Sequence, residues 1–336
     1  MADEQVRWGV LGAARIAGKA VLPAIVRAHN GAPHALASRD VARARDFATQ
    51  FDIPKVYERY DEVIADPDVQ AVYIPLPNHL HREWTLRAVR AGKHVLCEKP
   101  LALDALQAQE MADAAHQAGV LLMEAFMYRF HPRSQRVKAL VEAGAVGDPR
   151  LIRAAFCFFL NRPDDIRLRP EYGGGALMDV GCYGVSLARW MFGAEPEIVQ
   201  ASAEYGRRGV DVSFAGLLRF ADARLAVVEA SFATARQESY TIAGSAGLID
   251  IPDNDAFVVF DEETRFRLQR VGDAQAQVET VAGGAHEYQL MVEHFGEAAL
   301  GRAALAFPPE DAVANMRVLD ALAQAARDNH PVTVGD

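Results

Sequence analysis

The sequence predicts an α/β protein in two parts. Residues 1–125 read as a doubly wound parallel sheet, and residues 126–336 as an α+β domain with a large, mostly antiparallel open sheet. Three observations carry this. The first third alternates short apolar runs with helical apolar spacing, the pattern of successive strand–helix–strand units. From about Arg150, strand-like runs follow one another with gaps as short as Ala221-Asp222-Ala223, the pattern of hairpins with one covered face. The length, 336 residues, exceeds one ordinary core and suits two. No low-complexity linker separates the halves, so a packed cleft is expected in place of a flexible tether.

The elements follow in order. Val6 to Leu11 is a buried strand, then a turn and a helix running towards Ala28. His34 to Ala37 is a second strand, followed by a helix from Asp40, its N-cap, to Phe51, with Val41, Ala44, Phe47, Ala48 and Phe51 at helical spacing. Asp61-Glu62-Val63-Ile64 opens a short helix, Ala71 to Pro75 is a strand, and a helix from about His81 to Ala91 stops at Gly92. Val95 to Cys97, a helix over Leu106 to Ala118, and Leu121 to Ala125 complete the first sheet. The second part offers strands at Leu151–Leu160, Ile198–Tyr205, Phe214–Phe220, Leu225–Phe232, Tyr240–Ala243 and Phe257–Phe260. Its helices are expected near Leu177–Met191, Tyr288–Leu300 and Glu310–Arg327.

Composition narrows the function. At 51% hydrophobic and 24% charged, the chain is globular and not disordered. A net charge of -10 argues against a nucleic-acid partner, which needs a basic face. The start, Met1-Ala2-Asp3-Glu4-Gln5, lacks the basic-then-apolar order of a secretory signal, and no apolar run approaches the ~18–20 residues of a membrane span. Cys97, Cys157 and Cys182 are scattered and odd in number, so neither a disulfide framework nor a zinc site is indicated. His79 and His81 stand as H-x-H, but no matching Asp/His set accompanies them, and no metal is expected. A reduced, cytoplasmic protein is the expectation.

Gly12-Ala13-Ala14-Arg15-Ile16-Ala17 ends the first strand and opens the first helix, fitting G-x-G-x-x-G/A with Ala14 in the second glycine's place. Gly12 allows the tight turn, Ala14 lets a pyrophosphate approach, and Ala17 permits close helix packing, so these residues with Arg15 and Ile16 are candidates for binding a dinucleotide on a Rossmann sheet. An NAD reader places Asp or Glu about twenty residues on. Here that place holds Ser38, then Arg39, with Arg43 a helical turn further; guanidinium groups suit a 2′-phosphate, so NADP is favoured over NAD. Pro75, Leu76 and Asn78 follow the strand at the switch point and would wall the nicotinamide pocket.

The ordered set of this fingerprint, Pro77-Asn78-His79-Leu80-His81, Glu98-Lys99-Pro100 and Gly173-Gly174-Gly175-Ala176-Leu177-Met178-Asp179-Val180-Gly181-Cys182-Tyr183 resembles the glucose–fructose oxidoreductase / inositol dehydrogenase (Gfo/Idh/MocA) family over nearly the whole chain. The Tyr four residues after the Asp is similar to the glucose–fructose oxidoreductase and dimeric dihydrodiol dehydrogenase branch, where the inositol dehydrogenase branch would carry His. The resemblance implies that Asn78, His81 and Glu98 lie near the cofactor, that Arg167 reaches it from the second domain, and that Glu124 to Pro132 faces substrate. Arg129 serves either the cofactor or a structural ion pair. It also implies a homodimer or homotetramer, for which the exposed face of the C-terminal sheet is a natural surface.

The chemistry stands without the family name. Oxidising a secondary alcohol needs a base for the hydroxyl proton as hydride leaves for the nicotinamide. Tyrosine, with a reference pKa of about 10, needs ~4 kcal/mol of phenolate stabilisation to act near pH 7. A lysine ammonium supplies part of that. Lys99 and Tyr183 are therefore the expected proton-handling residues, and Asp179, four residues before Tyr183 on one helix face, the group that orients a second substrate hydroxyl. The expected activity is an NADP-dependent oxidoreductase for a small polyhydroxylated substrate, an aldose or sugar derivative or a trans-dihydrodiol. The alternative is a non-catalytic NAD(P)-sensing regulator on the same fold.

Overall fold

Val6, Trp8, Val10 and Leu11 are at most 1% exposed, so β1 (Val6–Leu11) is covered on both faces, as a central parallel strand must be. The computed structural model describes residues 5–252, 254–284 and 286–335. After β1 the chain widens into a π-helical turn, Ala17–Val21, where the Leu22 N–H donates to the Ala17 carbonyl, before α1 (Leu22–Arg27). β2 (Gly31–Ala37), α2 (Val41–Gln50), β3 (Lys55–Tyr57), α3 (Tyr60–Ala65), β4 (Ala71–Ile74), α4 (His81–Arg90), β5 (His94–Cys97), α5 (Ala105–Ala118) and β6 (Leu122–Glu124) follow. The sheet order is β3-β2-β1-β4-β5-β6, every pairing parallel, with the order reversing beside β1. A crevice at the C-terminal ends of the strands is where such sheets take ligands.

Local chemistry explains the helix limits. The Asp40 and Asp104 carboxylates accept from the Arg43 and Gln107 amides at 3.0 and 2.8 Å, capping α2 and α5. Gly119, at φ +65°, ends α5 in the left-handed region that side chains avoid.

The remaining chain begins with α6 (Pro132–Glu142) and β7 (Pro149–Cys157). A second π-helical turn, Leu177–Gly181, runs into α7 (Cys182–Phe192). β8 (Ile198–Tyr205), β9 (Asp211–Arg219), β10 (Leu225–Ser231), β11 (Gln237–Gly244), β12 (Gly247–Ile251), β13 (Thr264–Arg270) and β14 (Gln277–Val281) come next, then α8 (Glu287–Ala299), α9 (Pro309–Asp328) and β15 (Val332–Thr333). The nine-stranded sheet runs β14-β13-β12-β11-β7-β10-β9-β8-β15, antiparallel throughout except for β7 beside β10. Alternation decides its two faces. Ile152, Ala154 and Phe156 of β7 and Ala226, Val228 and Ala230 of β10 are buried, while Leu151, Arg153, Leu225, Val227 and Glu229 on the other face stay partly or fully exposed. The buried face packs on α7, where the Val228 methyls leave no room for a Cβ at Gly184.

By internal contacts the chain divides into two units, Met1–Met127 with His286–Val313, and Tyr128–Ala285 with Ala314–Asp336. α8 thus belongs with the first unit. Its Phe295 ring lies 5.3 Å from Trp8, and Asn30 Nδ2 donates to the Glu293 carbonyl and Glu297 Oε1, both at 2.8 Å.

Several expectations need correcting. Phe257–Phe260 is not a strand: the Phe257 and Val258 amides donate to the buried Glu238 carboxylate in place of a ladder. β2 begins three residues earlier than expected, at Gly31. β3, α6, β12, β13, β14 and β15 were not anticipated. The helix expected over Leu177–Met191 is regular only from Cys182.

Candidate active site

In the first unit, the C-terminal ends of β1, β2, β4 and β5 bring the predicted cofactor residues to one edge of the sheet. Gly12 leaves β1 at φ +115°, its N–H donating to the Ala37 carbonyl at 2.7 Å. A Cβ there would stand 3.0 Å from the Leu76 side chain, which closes over the turn from the end of β4. Ala14 and Ile16 are partly exposed, Arg15 is exposed, and Ala17 is buried against the sheet. No side chain caps the helical run that starts here, and its first turn carries no acid. Such an N-terminus attracts an anion.

At the end of β2, Ser38 is 7% exposed, and its Oγ accepts from the Asp40 amide at 3.1 Å. Asp40 is exposed, and its Oδ1 accepts the Arg43 amide at 3.0 Å as the α2 cap. Arg39 is exposed and interacts with the Tyr60 hydroxyl; burial raises the Tyr60 pKa, and Arg39 works against that rise. Arg43 lies over the Phe47 ring, 5.5 Å from its centroid. These residues fit a dinucleotide: a cradle that a Cβ would fill, an uncapped helix start, and guanidinium groups where a carboxylate would mark NAD.

Pro75 and Leu76 are buried and Asn78 opens the 3₁₀ turn Asn78–Leu80 that leads into α4. Glu98 and Lys99 follow β5, both partly exposed. The Tyr73 hydroxyl donates to Glu98 Oε1 at 2.6 Å, and burial, reinforced by that carboxylate, raises the Tyr73 pKa well above its ordinary value. His81, expected near the cofactor, is fully buried. Its Nδ1 stands 2.9 Å from the Pro100 carbonyl and its Nε2 2.8 Å from the Leu76 carbonyl, so both ring nitrogens face backbone and the residue supports the loops from behind. Burial pushes its pKa down to about 4.

In the second unit, Gly173 to Gly175 set up the turn before α7. Gly175, at φ +126°, lies against Asp211, and a Cβ at Gly174 would stand 2.4 Å from the Arg167 carbonyl oxygen. Asp211 Oδ2 accepts from the Leu177 amide at 2.7 Å and caps the π-helical turn; burial raises its pKa despite these bonds. Arg167 Nε donates to Asp179 Oδ2 at 2.6 Å and its Nη1 to Asp165 Oδ1 at 3.2 Å, an arrangement that raises the guanidinium pKa through Asp179 first. Two predicted residues, Arg167 and Asp179, are thus an ion pair. Tyr183, 4% exposed, packs among Phe156, Phe257 and Tyr128 with centroids 5.3, 5.4 and 5.8 Å away. Arg129 is 1% exposed, and its Nε and Nη2 donate to Ser186 Oγ at 3.1 and 2.8 Å.

Tyr60, Tyr73, Asp211 and Phe257 were missed. Only Tyr73 carried a signal, a hydroxyl inside an otherwise apolar buried strand, which demands a polar partner. Of the His/Cys/Asp/Glu groups among the described residues, His34, Asp66 and Asp68 converge, but the Lys55 ammonium already lies 3.0 and 2.9 Å from the two carboxylates and supplies the cation.

A 3-2-1-4-5-6 parallel sheet with this glycine turn defines a dinucleotide-binding protein of the Rossmann class. Comparison with known families specifies it further. The model described as an oxidoreductase family with an NAD-binding Rossmann fold matches residues 6–126, and the GFO/IDH/MocA C-terminal domain matches residues 134–250. The chain belongs to the GFO/IDH/MocA family of NAD(P)-binding oxidoreductases. It is 38% identical over 95% of its length to a D-xylose 1-dehydrogenase (NADP(+)) of Haloferax volcanii, covering 97% of that protein. It is 35% identical to a trans-1,2-dihydrobenzene-1,2-diol dehydrogenase of Xenopus tropicalis, over 78% of this chain and 81% of that one. A 3-ketoreductase from Actinomadura kijaniata, solved with NADP and TDP-benzene, superposes with a TM-score of 0.89 at 32% identity, over 96% of this chain and 98% of that one. Among the described residues, no helix is long and apolar enough to cross a membrane.

Proposed function

We propose that this protein is an NADP-dependent oxidoreductase that transfers hydride between the nicotinamide and a small polyhydroxylated substrate, an aldose or sugar derivative or a trans-dihydrodiol. The observation that carries the cofactor choice is the end of β2: the place of an NAD-reading carboxylate holds Ser38 and an exposed Arg39, while Asp40 caps α2 through Oδ1. The relatives support both halves of the reading, since one is named for D-xylose and NADP, another for a dihydrodiol, and a third was solved with NADP.

In this reading Gly12, Ala14, Arg15, Ile16 and Ala17 hold the pyrophosphate, Ser38, Arg39 and Arg43 the 2′-phosphate, and Pro75, Leu76, Asn78 and Glu98 the nicotinamide half. A nicotinamide bound there would supply the hydride donor or acceptor. Tyr183 exchanges the substrate hydroxyl proton, and the Lys99 ammonium favours its phenolate. Asp179, fixed by Arg167, orients a neighbouring hydroxyl. A second copy of the chain is proposed to cover the outer face of the nine-stranded sheet, where Leu151, Leu217, Leu225 and Val227 lie among polar neighbours.

Initial rates over aldoses, ketoses and trans-dihydrodiols, each with NADP and with NAD, test this. At least one class should turn over, with kcat/KM for NADP exceeding that for NAD by about tenfold or more, the scale of one charge-assisted contact. Tight NADP binding with no turnover across the panel would instead favour a cofactor-sensing regulator.

A further inference from the structure

The segment Glu98-Lys99-Pro100-Leu101 leaves β5 as a loop, yet buried side chains from three other elements hold it. From β4, the Tyr73 hydroxyl donates to Glu98 Oε1 at 2.6 Å. From the start of α4, His81 Nδ1 meets the Pro100 carbonyl at 2.9 Å. From β6, Glu124 Oε1 accepts the Leu101 amide at 2.8 Å. Tyr73 and His81 are fully buried and Glu124 is 7% exposed. Loops normally expose their backbone to water, and three buried polar side chains directed at four consecutive residues are costly unless each bond is made.

The contacts surround Lys99 on both sides in sequence. Glu98 is held through its side chain as well as by its amide, which donates to the Ile74 carbonyl at 3.2 Å. Pro100 and Leu101 are held through backbone. The Lys99 backbone therefore has little freedom, and its side chain leaves from a fixed base. His81 Nε2 also faces the Leu76 carbonyl at 2.8 Å, so the same imidazole stands between the loop after β5 and the loop after β4. A neutral imidazole donates one N–H, so it serves one of these carbonyls at a time as a true hydrogen bond.

We propose that Tyr73, His81 and Glu124 form a buried clamp that positions Lys99 for proton transfer. They are positioning residues, acting through the loop and not on substrate. The inference rests on the catalytic role given to Lys99 above, and deepens it.

The test uses Tyr73→Phe, which removes one oxygen, and His81→Asn, whose amide can replace Nδ1 at Pro100. Each is measured alone and in a Lys99→Ala background, with NADP and the fastest substrate of the panel. Tyr73→Phe should lower kcat about tenfold, the scale of a small misplacement of a catalytic group, with the KM for NADP changed less than threefold. In the Lys99→Ala background the same change should cost less than about twofold, because the group it positions is gone. His81→Asn should keep more turnover than His81→Ala. Equal losses in both backgrounds, or none in the wild-type background, would overturn the clamp. Near-wild-type turnover of Lys99→Ala would defeat the catalytic reading separately. Amide exchange at Glu98, Lys99 and Leu101 needs no substrate: it should quicken in Tyr73→Phe, and unchanged exchange also counts against the clamp.

Discussion

The chain builds a glycine-led turn into a π-helical turn twice, once in each unit, and finishes the two differently. After Gly12 the helical run starts with no side-chain cap and no acid in its first turn. After Gly173–Gly175 the run starts with Asp211 bonded to its amides. The first start keeps its positive end for an anion from outside; the second has been neutralised by the protein's own carboxylate. Anion binding is therefore expected only at the first. Beside the second, Asp179 is held by Arg167 and Tyr183 by three aromatic rings, and these side chains are the ones proposed to meet substrate.

The two regions are also supported differently, and this gives the largest expected effect. In the first unit, buried neutral His81 stands between the loops after β4 and β5, its pKa pushed down by burial to about 4 against an unfolded value near 6.5. The unfolded chain binds that proton more readily, so the contribution is complete above pH 6.5 and is lost as pH falls towards 4, about 3 kcal/mol in all. Denaturant titrations at pH 7 and 4.5 should show it, with a smaller pH difference in His81→Asn. Behind the second turn the support is backbone. Gly174→Ala puts a Cβ 2.4 Å from the Arg167 carbonyl oxygen, which cannot swing aside as a side chain can. A loss of about 1–3 kcal/mol in stability is expected, with turnover reduced and NADP affinity kept.

Ligand measurements sharpen the contrast. Arg39→Ala should weaken NADP about tenfold, ~1.5 kcal/mol, and leave NAD affinity unchanged, as titration of cofactor fluorescence would show. Equal weakening of both cofactors would remove the 2′-phosphate assignment. The smallest effect belongs to Asp211. Asp211→Ala should cost about 1 kcal/mol in a thermal melt, and Asp211→Asn less, because an amide oxygen still caps. If Asp211→Ala created a phosphate site at the second turn, the carboxylate is what closes it, and the comparison stands strengthened.

The parts of the fold visible in the sequence are those governed by local chemistry. β1, β2, β4, β5 and β6 hold apolar runs bounded by turns, and Asp40 is recognisable as a helix cap from its place directly ahead of the spaced apolar residues Val41, Ala44 and Phe47. Phe257–Phe260 failed because a distant carboxylate, Glu238, takes amides that a strand would have paired. β13 escaped because Thr264-Arg-Phe-Arg-Leu-Gln-Arg270 has only Phe266 and Leu268 as its apolar face, and both prove buried. Neither π-helical turn has a residue signature. Gly12, Lys99, Asp179 and Tyr183 stand out in the sequence as an ordered set of candidates, whereas the partners of Glu98 and Asp179 do not. Tyr73 lies 25 positions from Glu98 and is brought to it only by the pairing of β4 with β5.

The central claim is that Lys99 and Tyr183 serve one proton transfer. Turnover of Lys99→Ala, Tyr183→Phe and the double variant, with NADP at saturation, tests it most directly. Each single change should cost at least ~10²-fold, and the double variant should be only a few-fold slower than the slower single, as for residues that act as a unit. Losses that multiply, or near-wild-type rates in either single variant, would contradict it.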